Sequence, residues 1–124
     1  MNNKQKVLIV DGNVPVTKFL RINLEKSGYQ VSIVHSLEKA EESAAREKVD
    51  VVALASPETP DTLDSMARIR KALACPVLVY GLNTQSDEEK QGFNADHYTD
   101  RFYDPEAFLE AVKTAIAIKS KGRT

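Results

Sequence analysis

The sequence predicts an alternating α/β domain built on a parallel sheet, and three observations carry that expectation. Short apolar runs alternate with longer segments of helical period along the chain. The runs KVLIVD, DVVALA and PVLVYG are apolar nearly throughout, as strands covered on both faces must be. The breaks between segments carry helix-end residues, among them Pro15, Gly28, Ser36, Asp104 and Pro105. Repeated strand–helix–strand order demands parallel pairing and right-handed crossovers.

Five strands are expected: Lys6–Asp11, Gln30–His35, Asp50–Ala55, Pro76–Gly81 and Asp96–Arg101. QVSIVH alternates more than the others and DHYTDR is the most polar, which suits the margins of the sheet. The first helix starts near Pro15, after Asn13 or Val14. It runs through Val16, Phe19, Leu20 and Leu24 and stops at Gly28. The second follows Ser36 with an alanine face, Ala40, Ala44 and Ala45. A third follows Asp61 or Thr62 and uses Leu63, Met66, Ile69 and Leu73. A short fourth opens on a Ser86/Glu89 capping box and has little apolar surface before Phe93. The fifth takes Asp104 as N-cap and Pro105 as first residue, with a stripe of Phe108, Leu109, Val112, Ala115 and Ile116.

A chain of 124 residues fits one domain with a sizeable core. Its net charge of −1, from 17 basic and 18 acidic residues, gives no whole-domain attraction to nucleic acid or to an anionic membrane. The longest apolar runs are far short of a membrane span, and the N-terminus does not read as a signal peptide. A lone Cys75 cannot form an internal disulfide and is expected to pack beside Pro76, so a cytoplasmic home is expected. The tail KSKGRT is basic without an apolar stripe.

In order and spacing the chain resembles the receiver domain of bacterial response regulators, the phosphorelay modules of two-component systems. KVLIVDG resembles that family's first strand with its acidic end, and FLRINLEKSGYQV its first helix running into strand two. VDVVALA resembles strand three, RIRKALACPVLVYG helix three into strand four, and NADHYTDRFYDPEAFLEAV strand five into helix five. The resemblance implies a flavodoxin-like (CheY-like) three-layer sandwich: a five-stranded parallel sheet of order 2-1-3-4-5 with five helices. Its functional crevice would lie at the strands' carboxyl ends. Residues 1–118 would be the receiver-like domain, and 119–124 a basic tail or the start of a linker.

In that family an aspartate ending strand three takes a phosphoryl group from a histidine kinase. Two acids ending strand one help it hold Mg²⁺, while a Thr or Ser ending strand four and a Lys ending strand five contact the phosphoryl group. Phosphoryl transfer is mostly positioning and charge neutralisation, which explains the carboxylate, the hard cation and the cationic donor. Here the acceptor position falls on Ala55, and a methyl group cannot form an acyl phosphate. A register slip of one would bring Leu54 or Ser56 there, neither of them an acid, and Glu58 lies in the proline-bounded loop beyond. Strand one keeps Asp11 but has Gly12 for its second acid; Gly81 takes the hydroxyl position, Arg101 the lysine position, and Phe102 follows it. The implied module is a degenerate pseudo-receiver that acts through protein–protein interaction and is not an enzyme.

Asp11 is a weak Mg²⁺ candidate, since one carboxylate is a poor site for that ion; otherwise no metal or cofactor is expected. An Asp11–Arg101 ion pair would fill the same space, and a cap for the following loop is the plainer alternative. Ser56 and Thr59 read as turn residues, with hydroxyl phosphorylation the weaker alternative. His35 and His97 lack metal-ligand spacing and read as structural. Tyr98 matches the family's reporter aromatic on strand five, and with Phe102 and Tyr103 it outlines a signalling surface. The expected partners are another protein, an attached output domain or a second copy of the chain. Two alternatives stay open: a working phospho-acceptor, and a flavodoxin-like small-molecule binder. Against the second, DGNVPVT is no phosphate cradle and no G-x-G-x-x-G follows a strand.

Overall fold

Apolar runs form the sheet's interior, and their alternation divides the core into two layers. The computed structural model describes residues 5–46, 48–55, 76–81, 97–99 and 103–121. The strands are β1 (Lys6–Val10), β2 (Gln30–Val34), β3 (Val51–Ala55), β4 (Val77–Tyr80) and β5 (His97–Thr99). The helices are α1 (Val14–Lys26), α2 (Leu37–Arg46) and α3 (Pro105–Lys121). All strand pairs are parallel, in the order β2-β1-β3-β4-β5. The expected third and fourth helices, with Cys75, lie outside the described residues, as does the tail beyond Lys121.

Alternate side chains of β1, β3 and β4 face opposite layers, as the two-residue strand period requires. Val7, Ile9, Val51, Ala53, Leu78 and Tyr80 meet Leu20 and Leu24 of α1 and Phe108, Ala111, Val112 and Ala115 of α3. Leu8, Val10, Val52, Leu54, Val77 and Val79 face Ala40 of α2 and Val49. β2, at the sheet's margin, is only partly buried.

The helix ends follow their local chemistry. Asn13 caps α1 by accepting from Val16 N at 3.2 Å, which places Pro15 one residue inside the helix start. At the other end Gly28 takes a φ of +94°, Tyr29 N donates to Leu24 O at 3.1 Å, and Gly28 N donates to Glu25 O at 3.1 Å. This is the 6→1 and 5→2 closure that a left-handed glycine permits. Ser36 Oγ accepts from Lys39 N at 3.2 Å to start α2, and Asp104 Oδ1 accepts from Glu106 N at 3.1 Å to start α3. Ala40 is buried as expected, whereas the side chains of Ala44 and Ala45 lie outside what is described.

Two observations add detail to the sequence reading. Phe19 is 39% exposed, and the buried face of α1 is carried by Thr17, Leu20 and Leu24. Thr17 is tolerated there because its hydroxyl donates to Val14 O at 2.8 Å. The backbone of α3 continues through Lys119, Ser120 and Lys121, residues assigned to the tail by their polarity. No proline or glycine interrupts the helix before Gly122, so nothing local stops it.

Candidate functional site

The carboxyl ends of the three central strands bring Asp11, Ala55 and Tyr80 level with one another. β1 and β3 pair with Val10 opposite Leu54, so the next positions are Asp11 and Ala55; Ala55 in turn pairs with Tyr80 on β4. Ala55 and Tyr80 belong to the layer beneath α1 and α3. Leu54, the slipped alternative for the acceptor position, points into the opposite layer and is 3% exposed. Ser56, Glu58 and Thr59 lie outside the described residues.

Tyr80 is the residue that sequence reasoning missed. Its hydroxyl donates to Asp11 Oδ2 at 2.7 Å, although β3 separates the two strands. Neighbouring strands lie about 4.8 Å apart, so the phenol must lean across the β3 position between them, some 10 Å in all. That position is Ala55, whose methyl leaves the path open. The ring of Tyr80 meets Phe108 edge to face, with centroids 5.6 Å apart and planes at 87°. Burial first, then the hydrogen bond to Asp11 and its negative charge, push the phenol far above its ordinary range. The hydroxyl therefore keeps its proton and stays a donor.

Asp11 is otherwise engaged with its own loop. Its Oδ1 accepts from Asn13 N at 2.9 Å, the local turn expected of a cap. Its backbone carbonyl accepts from His35 Nδ1 at 3.0 Å, which fixes the Nδ1–H tautomer of that ring, and Asp11 N donates to Val34 O at 3.1 Å. His35 follows β2 and His97 lies on β5, so the strand order sets them at opposite edges of the sheet, too far apart to share a metal ion. Burial lowers the pKa of His97, which favours its neutral ring.

The two glycines at the rim differ in kind. A Cβ on Gly12 would meet His35 O at 3.7 Å, an ordinary contact, so the backbone does not exclude a side chain there. Gly81 has φ +86°, and its N–H donates to Thr99 O at 2.9 Å. In that left-handed conformation a β-branched residue is strained. Gly81→Thr, which would place the family's hydroxyl, is expected to lower stability by about 1–2 kcal/mol in chemical denaturation.

The remaining candidates are distributed as follows. Arg101 and Phe102 lie outside the described residues, and with Arg101 the proposed ion pair to Asp11; Tyr98 lies on β5, its side chain outside what is described. Tyr103, just before α3, is 65% exposed. The α1 N-terminus is occupied by Asn13, which leaves the loop after β1 without the open N–H cradle of a phosphate binder. No group of three or more metal-ligating residues occurs among the described residues. No described helix is long and apolar enough to cross a membrane.

A parallel sheet of this order between helical layers defines a CheY-like α/β fold. A response regulator receiver domain protein from Methanospirillum hungatei JF-1 superposes with a TM-score of 0.83 at 20% identity, over 97% of this chain and 99% of that one. A response regulator from Thermotoga maritima gives a TM-score of 0.81 at 25% identity, over 92% and 98% of the two chains. Transcriptional regulatory protein KdpE of Mycobacterium tuberculosis is 32% identical over 114 residues, which span 89% of this chain and 50% of KdpE. The chain thus spans half the length of the curated relatives it matches. No protein-family model matches. The sequence relative and the superposed structures thus agree in making this chain similar to the receiver domains of response regulators.

The Tyr80 contact has a consequence at alkaline pH. An unfolded tyrosine loses its proton at about pH 10. The folded Tyr80 keeps its own, so its contribution is complete below that pH and is lost as the pH rises above it. Stability of the wild type is expected to fall more steeply than that of Tyr80→Phe, by about 1.4 kcal/mol per pH unit for the one proton involved. Denaturant melts of both proteins at pH values above 10 measure the difference; equal slopes would contradict the buried, neutral phenol.

Proposed function

We infer that this chain is a degenerate receiver, a signalling module that does not take a phosphoryl group at the usual place and instead acts by contact with protein. One observation carries this: β3 ends in Ala55, level with Asp11 and Tyr80 at the rim. The methyl has no oxygen with which to attack phosphorus. The surrounding groups support the same conclusion. Gly12 offers no second acid, and Gly81 offers no hydroxyl and sits in a conformation that disfavours one.

Contact would run through the scaffold's surfaces. Tyr103, exposed beside the start of α3, belongs with Tyr98 and Phe102 in the proposed signalling surface. A protein partner, an attached output domain and a second copy of the chain are the occupants proposed for it. An output domain is favoured by KdpE, a transcriptional regulatory protein twice the span of the matched region. In that case any nucleic-acid contact would belong to the attached domain, since residues 1–124 carry a net charge of −1. The domain is proposed as residues 1–118, with the linker beginning in the last turn of α3.

The test is an amide NMR spectrum recorded with Mg²⁺ and beryllofluoride, which mimics a phosphoryl group on a carboxylate. The rim amides around Asp11, Ala55 and Gly81 are expected to stay in place. Saturable shifts at those amides would favour a working phospho-acceptor and overturn the inference.

A further inference from the structure

The fold family implies a divalent cation at this rim, and the groups present do not fit one. Mg²⁺ dehydrates reluctantly and demands near-octahedral oxygen ligands, usually with more than one anionic donor in reach. Among the described residues at the rim, Asp11 is the sole carboxylate, while Gly12 and Ala55 supply no side-chain oxygen. Both oxygens of Asp11 are already turned to donors: Oδ2 to the Tyr80 hydroxyl at 2.7 Å, Oδ1 to Asn13 N at 2.9 Å. Each donor presents the positive end of a dipole to the carboxylate, which is the role a cation would have.

We propose that Tyr80 is the positioning residue that closes this rim to divalent cations, its ring spanning the Ala55 position and its hydroxyl standing on Asp11 where the ion would stand. The ring cannot readily leave. Tyr80 is 2% exposed and is held edge-on by Phe108, itself 2% exposed. Swinging the phenol outward would open a void in the layer beneath α1 and α3, which close packing resists. The size pattern at the rim fits this role, with the alanine that ends β3 paired with the largest side chain on β4. The proposal rests on reading the rim as one without a phospho-acceptor, and it adds that the missing carboxyl group is not the whole obstacle. A carboxylate introduced at position 55 would share its space with the Tyr80 ring and face Asp11 with no ion to separate their charges.

The experiment measures Mg²⁺ binding by calorimetry to the wild type, to Ala55→Asp and to Ala55→Asp combined with Tyr80→Val. The wild type is expected to show no saturable binding. The combined variant is expected to bind at least about tenfold more tightly than Ala55→Asp alone. Equal affinities, or the absence of binding by both variants, would overturn the proposal. A second measurement needs no substitution: the side-chain carboxyl carbon of Asp11 and the ring signals of Tyr80 are followed by NMR in the wild type as Mg²⁺ is added. Unmoved signals support Tyr80 in the cation's place, and a saturable shift of the Asp11 carbon overturns it. A phosphoryl group found on the wild-type protein would bear on the proposed function instead, so the two conclusions fail separately.

Discussion

Phe108→Ala is expected to destabilise the chain by about 3–5 kcal/mol, against a total of roughly 5–15 kcal/mol for a domain of ordinary stability. Phe108 is buried among Val7, Leu78, Tyr80 and Val112 and is the edge-on support of the Tyr80 ring. Its removal takes away the transfer energy of a phenyl group and leaves a void that a helix packed on a sheet can close only in part. Thermal denaturation should show the midpoint falling by roughly 10–20 °C. Phe19→Ala supplies the control. Phe19 is 39% exposed, and its truncation is expected to cost no more than about 1 kcal/mol. Equal losses from the two substitutions would contradict the packing described for α1 and α3.

Asp11→Ala is the second large effect, and it should exceed that of Tyr80→Phe. The first substitution takes away the acceptor to which a buried hydroxyl donates, at a cost of about 1–3 kcal/mol, and it also frees Asn13 N from its turn. The second leaves a half-buried carboxylate that water can still reach, so about 1 kcal/mol is expected. Combining them should cost less than the sum by about 1 kcal/mol, because each removes the same bond. Urea melts of the four proteins give that coupling directly. Strict additivity would mean that the Tyr80–Asp11 bond contributes nothing in solution.

How far the sequence disclosed this molecule depends on how local each feature is. The strands were legible because a two-sided sheet demands unbroken apolar runs, and β1, β3 and β4 begin and end within a residue of VLIV, VVALA and VLVY. The helix ends were legible because Asn13, Gly28, Ser36 and Asp104 act on backbone groups within three residues or so of themselves. The exposure of Phe19 was not legible because periodicity gives a stripe but not the angle at which α1 meets the sheet, and that angle favours Thr17. The Tyr80–Asp11 contact was not legible for a different reason. It joins residues 69 positions apart across an intervening strand, and only the register of three strands reveals it. The signal that could have found it is the lone aromatic at the end of an otherwise aliphatic VLVY, set against a strand that ends in alanine. Gly81 likewise read as a missing hydroxyl, while its φ of +86° shows that the backbone itself favours glycine there.

The most direct measurement is the intact mass of the wild-type protein after incubation with acetyl phosphate and Mg²⁺, followed by peptide mapping. With a methyl at the end of β3 and Tyr80 standing on Asp11, the mass is expected to stay unchanged. A gain of one phosphoryl group, labile to hydroxylamine and mapped to an aspartyl side chain at the rim, would contradict this account of the site.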